Sequence, residues 1–157
     1  MDPNTLKALQ GAAGGGEPYT GDLAVAHSTS PRISVYPWSS GFGTKYSNPS
    51  TLPPHHAIGV AFSPDGADLA VAHANLPYIS VYPWSSGFGT KYANPSTLPT
   101  NTGYGVAFSP VGATLAVGHH TGPCVSVYPW SSGFGTKYSD PSTLPTGNGK
   151  GVAFSPA

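Results

Sequence analysis

Charged residues are scarce in this sequence. Lysine, arginine, aspartate and glutamate make up 8% of its 157 residues, six of them basic and six acidic, against about 25% in a typical globular protein. A chain with zero net charge offers no basic surface, so we expect no nucleic acid as a partner. The single cysteine, Cys124, excludes an internal disulfide framework and a zinc site built on cysteines.

Long apolar runs and a secretory signal are also missing. No run approaches the roughly 18 residues of a membrane helix, so we expect no membrane contact, and residues 1–10 lack the basic start and apolar stretch of a signal. A short helix followed by the glycine-rich link at Gly11–Gly16 predicts an N-terminal arm over residues 1–18. The hydrophobic content of 38% predicts a folded core for the remainder, despite 21 glycines and 18 prolines.

A repeat of 46 residues dominates the sequence. It spaces the three tryptophans and carries one run of thirteen residues that is identical at 34–46, 80–92 and 126–138. A match of that length, present three times at constant spacing, does not arise by chance. We therefore expect a domain over residues 19–157 with three units, at about 19–58, 59–104 and 105–150, and a surplus strand at 151–157.

The alternation of side chains predicts four short strands in each unit. In the second unit the strands are expected at 59–63, 69–73 and 79–82, with a weaker fourth strand around 89–92. Large apolar residues such as Val60, Phe62 and Leu69 fall on one face, and alanines on the other. Such a sheet has a bulky face and a small face, so we expect each unit to pack its bulk against the small face of a neighbour.

The two ends of the chain are out of phase with this repeat. The first strand of the second unit reads Gly-Val-Ala-Phe-Ser, but the equivalent residues of the first unit, 13–17, read Ala-Gly-Gly-Gly-Glu. A surplus copy of the strand lies at the far end, in Gly151, Val152, Ala153, Phe154, Ser155 and Pro156. Because an unpaired edge is an aggregation hazard, we expect this assembly strand to complete the first blade opposite residues 22–27, within the chain or in a neighbouring chain.

The order of these segments resembles the WD-repeat β-propeller family. Val-Ala-Phe-Ser-Pro-Asp-Gly, then Leu-Ala-Val-Ala, then Ile-Ser-Val-Tyr match the usual order of the first three strands of a blade, over about residues 19–157. The unit departs from the family in carrying Pro83-Trp84 where Trp-Asp is frequent, and in lacking a Gly-His pair before the first strand. The family's buried hydrogen-bond network is therefore not carried over.

The expected fold class is all-β, with three tandem four-stranded blade-like repeats. Three blades are too few for an ordinary propeller ring, which has about four to eight. Two chains could close a six-bladed ring and three chains a larger one, or strand exchange could run on into a fibre. The alternative is a single chain closed on itself as a three-sheet prism. We favour closure between chains, and the sequence leaves the others open.

Repeated aromatic pairs are the first candidate binding site. Each unit has a tyrosine and a tryptophan two residues apart, in the pairs Tyr36/Trp38, Tyr82/Trp84 and Tyr128/Trp130. Three such platforms could stack on sugar rings with avidity. The favoured alternative is that the pairs form the core between blades, because tyrosine and tryptophan gain much from burial.

Equivalent histidines are the second candidate. His27, His73 and His119 are one repeat apart, and three imidazoles that converge on an axis could bind a metal. No carboxylate or cysteine accompanies them, so a structural histidine copied with the repeat is the favoured interpretation. We expect neither a metal nor another cofactor.

The repeated signature Val-Tyr-Pro-Trp-Ser-Ser-Gly-Phe-Gly-Thr-Lys-Tyr is similar to repeats in structural proteins of tailed bacteriophages. This resemblance implies a place in the virion, in the tail, in the collar or as a capsid decoration. The implied partners are copies of the chain itself and other virion proteins, reached through the arm. Since near-identical units do not bring chemically different groups together, the prediction is a non-enzymatic structural protein. The alternative is a multivalent carbohydrate-binding module, with a host-surface glycan as its ligand.

Overall fold

The computed structural model describes residues 18–156, which form eight β-strands and no helix. The strands are β1 (Thr20–Ala26), β2 (Ile33–Ser39), β3 (Ala57–Phe62), β4 (Asp68–His73), β5 (Ile79–Pro83), β6 (Gly103–Phe108), β7 (Thr114–His119) and β8 (Val125–Pro129). The all-β class is confirmed. The predicted arm, apart from its last residue, lies outside the described residues. The described part holds no helix that is long and apolar enough to cross a membrane.

The strands form one antiparallel sheet for each repeat. β1 pairs with β2, β3–β4–β5 form the second sheet, and β6–β7–β8 form the third. The register repeats as well, since a leucine faces a tyrosine at the same place in each sheet: Leu23 and Tyr36, Leu69 and Tyr82, Leu115 and Tyr128. Alternating side chains fix the register, because a slip of one residue would turn every side chain to the other face.

The expected fourth strand is not formed as a regular strand. After β5 the chain turns back through an isolated bridge between Trp84 and Phe88. The Tyr92 N–H then donates to the Val81 carbonyl at 2.9 Å, outside any ladder. Pro83 has no N–H to donate, and the glycines around Phe88 are poor strand formers. Each blade therefore consists of its sheet and a returning outer segment (residues 42–46, 88–92 and 134–138).

The blades stack with the bulky face of one against the small face of the one before. Between the first and second blades, Ile33 and Val35 pack against Leu69, Val71 and Tyr82. The second core joins the small face of the second blade to the bulky face of the third, through Ala70, Ala72, Ile79 and Val81 against Val106, Leu115, Val117 and Tyr128. The predicted pairing of bulky and small faces is confirmed.

These two cores make the chain an open arc. One core joins the first sheet to the second, and the other joins the second to the third. A closed three-sheet prism would need a third core between the third sheet and the first, and residues 18–156 form none. The packing is that of stacked blades with a free face at each end.

The surplus segment lies against the third blade. The Gly149 N–H donates to the His119 carbonyl at 3.0 Å, and a Cβ at Gly105 would lie 2.8 Å from the Gly151 Cα. The first strands of the second and third units approach each other in the same way, because a Cβ at Gly59 would overlap the Tyr104 carbonyl. Residues 151–155 thus occupy the place of the first strand of a fourth blade. The pairing within the chain that would complete the first blade is not formed, since β1 pairs with β2 alone.

Substitution of a core leucine tests the stacking. Leu69 is fully buried between the first two blades, so Leu69→Ala should lower the free energy of unfolding by about 3 kcal/mol. Val111→Ala is the control, because the Val111 side chain is 83% exposed and its truncation should cost less than about 0.5 kcal/mol. Urea unfolding measures both, and equal losses would contradict a core at this junction.

Candidate functional site

A bridging carboxylate lies at each junction between blades. Asp22 of the first blade accepts hydrogen bonds from the Trp84 indole N–H of the second blade at 2.8 Å and from the Tyr46 hydroxyl of its own blade at 2.9 Å. Asp68 repeats the arrangement one junction later, with Trp130 at 2.8 Å and Tyr92 at 2.9 Å. We call this set the carboxylate clamp: an aspartate, the tyrosine of its own outer segment and the tryptophan of the next blade.

Aromatic packing closes each clamp. The Tyr46 and Trp84 rings meet edge to face with centroids 5.1 Å apart, and Tyr92 and Trp130 do so at 5.2 Å. Hydrogen bonds to a charged acceptor are stronger than neutral ones. The bond to Asp22 raises the pKa of the Tyr46 hydroxyl, and burial followed by the bond to Asp68 raises the pKa of Tyr92. Both hydroxyls therefore stay protonated and able to donate at neutral pH.

Sequence reasoning missed this site. Asp22 and Asp68 have no second acidic residue beside them in the sequence that would suggest a site. Each clamp also joins residues that are 62 positions apart along the chain. One signal could have found them, because Asp22 and Asp68 are separated by the repeat length. The equivalent residue of the third unit is Thr114, which breaks the series.

The aromatic pairs of the second and third units are part of the core. Trp84 and Trp130 are 7% and 6% exposed. The buried tyrosines reach back to the preceding unit, where the Tyr82 hydroxyl donates to the Thr51 carbonyl at 2.9 Å and the Tyr128 hydroxyl to the Thr97 carbonyl at 2.8 Å. These rings offer no platform to a sugar. In the first unit Tyr36 and Trp38 are only half-buried, and Phe42 beside them is 65% exposed.

The equivalent histidines do not converge. Each one contacts a serine hydroxyl of the neighbouring strand through Nε2, with His27 3.1 Å from Ser34, His73 3.0 Å from Ser80 and His119 3.0 Å from Ser126. Within the described part of the chain, no three histidine, cysteine, aspartate or glutamate side chains lie close enough together to hold a metal. Each of these histidines thus ties the second strand of its unit to the third, which is the structural role that the favoured interpretation expects.

Burial favours the neutral form of His73 and of His119. Desolvation lowers the pKa of His73 to about 4, and it also lowers the pKa of His119. Both side chains are inaccessible to solvent. Both ring nitrogens of His73 have a partner, since Nδ1 lies 2.8 Å from the Asn75 carbonyl and Nε2 lies 3.0 Å from the Ser80 hydroxyl.

At the two ends of the arc, residues equivalent to those of the internal junctions between blades are exposed. On the first blade, Leu23 and Val25 are 39% and 41% exposed, whereas the equivalent Leu69 and Val71 are fully buried. On the third blade the ring of Tyr138 is 51% exposed, although it is equivalent to the clamp residues Tyr46 and Tyr92. The first blade thus shows a partly uncovered bulky face, and the third blade an exposed tyrosine at the position that the clamps occupy in the other two units.

Substitution of a clamp aspartate tests the junction. Asp68→Asn leaves one oxygen acceptor for two donors, so it should lower the free energy of unfolding by about 2 kcal/mol. Asp140→Asn is the matched control, because the equivalent residues of the other units are already Asn48 and Asn94. The control should change stability by less than about 0.5 kcal/mol, and an equal loss in the two variants in urea unfolding would contradict the clamp.

The buried histidine predicts a loss of stability in acid. Because the pKa of His73 in the folded chain, about 4, lies below the value of about 6.5 in an unfolded chain, protonation favours unfolding. This contribution is complete above pH 6.5 and falls by roughly 3 kcal/mol on going to pH 4. Urea unfolding between pH 7.5 and 4 should therefore show a smaller pH dependence for His73→Gln than for the unsubstituted chain. Identical pH dependence would contradict a neutral buried His73.

Comparison with known protein families and with curated proteins gives no match. Among solved structures, a putative 6-phosphogluconolactonase from Bacteroides uniformis matches with a TM-score of 0.52 and 17% identity, over 80% of this chain and 42% of that one. The structure of U3-55K matches with a TM-score of 0.50 and 16% identity, over 79% of this chain and 40% of that one. The chain thus spans less than half the length of either neighbour. At these identities the likeness concerns the fold alone, with the arc of blades superposing on part of each larger chain.

Proposed function

We propose that this chain is a non-enzymatic structural protein that assembles with copies of itself by strand complementation. In the assembly, residues 151–155 of one copy complete the first sheet of another. The chain's first partner is then a second copy of the chain, and the product is a closed ring or a continuous array of blades.

One observation carries the proposal, namely the uncovered edge of β1. In the second and third units, β3 and β6 flank β4 and β7, and the leucine and valine of those central strands are fully buried. The described residues of the first unit supply no such strand, and the equivalent Leu23 and Val25 remain exposed. An open edge with apolar side chains is a template for an added strand.

The strand that fits this edge lies at the other end of the arc. Residues 151–155 repeat the sequence of 59–63 and 105–109 without a change. They take the position of a first strand but have no ladder partner among residues 18–156. Pairing between copies would give hydrogen-bond partners both to the open edge of β1 and to residues 151–155. Val152 and Phe154 would then take the places that Val60 and Phe62 hold in the second blade.

The setting of this assembly rests on the phage-like signature. We propose that the blades are part of a virion, in the tail, the collar or a capsid decoration, with residues 1–18 docking on other virion proteins. The burial of Trp84 and Trp130 removes two of the three aromatic pairs that glycan binding would require. The carbohydrate-binding alternative is for this reason not part of the proposal.

The molar mass in solution tests strand complementation. The full chain should be a discrete oligomer or an array of its 16.0 kDa unit, because pairing between copies buries the exposed edge of β1. A chain with Val152→Ser and Phe154→Ser should have the mass of a monomer in light scattering. A chain that lacks only Ala157, which lies beyond the assembly strand, is the control and should assemble as the full chain does. A full chain that remains a monomer at every concentration would contradict the proposal.

A further inference from the structure

We propose that the contact between copies lacks the carboxylate clamp. Thr114 is the cause, because it stands where the other two units have the aspartate that accepts the clamp hydrogen bonds. The inference rests on the proposed self-assembly and specifies its weakest contact. We call that contact the seam: the third blade of one copy against the first blade of the next.

The repeat shows which polar groups meet at the seam. Within the chain, a tyrosine hydroxyl of each blade donates to a threonine carbonyl of the blade before, in the pairs Tyr82 with Thr51 and Tyr128 with Thr97. The next pair in the series is Tyr36 of one copy with Thr143 of the other. In the same way Tyr138 is placed to meet Trp38 edge to face, as Tyr46 meets Trp84.

The apolar surfaces of the seam also match. The uncovered bulky face of the first blade carries the same residue types that form the internal junctions, in Leu23, Val25, Tyr36, Trp38 and Phe42. The small face of the third blade carries Ala107, Ala116 and Val127, which are equivalent to Ala61, Ala70 and Val81. Ala107 and Val127 are half-buried there, whereas Val81 is fully buried at the internal junction. A second copy is therefore the occupant that this exposed aromatic face fits, because the same two surfaces already pack against each other twice within the chain.

One position breaks the match. Asp22 and Asp68 hold the two internal clamps, but the equivalent residue of the third unit is Thr114. A threonine hydroxyl lies one bond closer to the backbone than a carboxylate oxygen, carries no charge and offers one oxygen where the clamp uses two. At the seam the Trp38 indole and the Tyr138 hydroxyl therefore lack the shared acceptor. The apolar contacts bring copies together, and the missing clamp makes the seam the first place at which the assembly separates.

A gain-of-function substitution tests this inference. Thr114→Asp restores the acceptor at a position where two other units already carry aspartate. Two charge-assisted hydrogen bonds are gained, so subunit exchange between differently labelled assemblies should slow by at least about tenfold. Thr114→Val, which keeps the shape and removes the hydroxyl, should exchange within about twofold of the unsubstituted chain.

A double-mutant cycle identifies the partner residue. Trp38→Phe keeps a ring but removes the indole N–H, so the slowing caused by Thr114→Asp should be largely lost when both substitutions are present. Slower exchange for Thr114→Asp that Trp38→Phe abolishes supports the seam as described. An assembly that is lost with Val152→Ser and Phe154→Ser, but that exchanges at an unchanged rate with Thr114→Asp or keeps the full gain with Trp38→Phe, overturns this inference and leaves the proposed function standing. If the unsubstituted chain and the Thr114→Asp variant are both monomers, the inference and the proposed function are both overturned.

Discussion

A single blade of this protein cannot bury both of its faces, and the fold depends on that constraint. Leu69 and Val71 are fully buried because the small face of the first blade covers them. The same residue types in the first blade, Leu23 and Val25, are covered by no preceding blade and remain partly exposed. Since every blade needs a neighbour on each side, a stack of three blades has a face left over at each end.

The carboxylate clamp gives this stacking a fixed register. Apolar faces of alanine and valine would tolerate some sliding, but the Trp84 indole is buried and its N–H must find an acceptor. Asp22 provides that acceptor at 2.8 Å from the blade before. A shifted blade would leave the Trp84 indole N–H without its acceptor, while Asp22 would keep only the Tyr46 hydroxyl of its own blade, and an unpaired buried donor costs about 1–3 kcal/mol. The polar contact thus specifies a junction that apolar burial stabilises.

The sequence predicted well what depends on the alternation of side chains. The three sheets, their bulky and small faces and the burial of Trp84 and Trp130 all follow from the repeat, because the strand period assigns each residue to a face. The prediction of a fourth strand in each unit was wrong, because Pro83 and the glycines near Phe88 interrupt the ladder of hydrogen bonds. The clamps could not be predicted from strand patterns, because each joins two blades across 62 residues. The sequence assigned the last strand to the first blade and left open whether it pairs within the chain or between chains. Within the chain this pairing is not formed, because residues 151–155 lie against the third blade.

The sequence of residues 151–155 raises the question of why they would not displace the identical strands at 59–63 and 105–109. The internal strands are joined to their sheets by a few residues of chain, which gives them a high effective concentration at their own sites. An incoming strand from another copy has only its concentration in solution and would have to break an existing ladder. At the edge of β1 it meets no competitor among the described residues. In the proposed assembly the added strand therefore pairs at the uncovered edge of β1, because only that edge gains hydrogen bonds and buried apolar area without losing any.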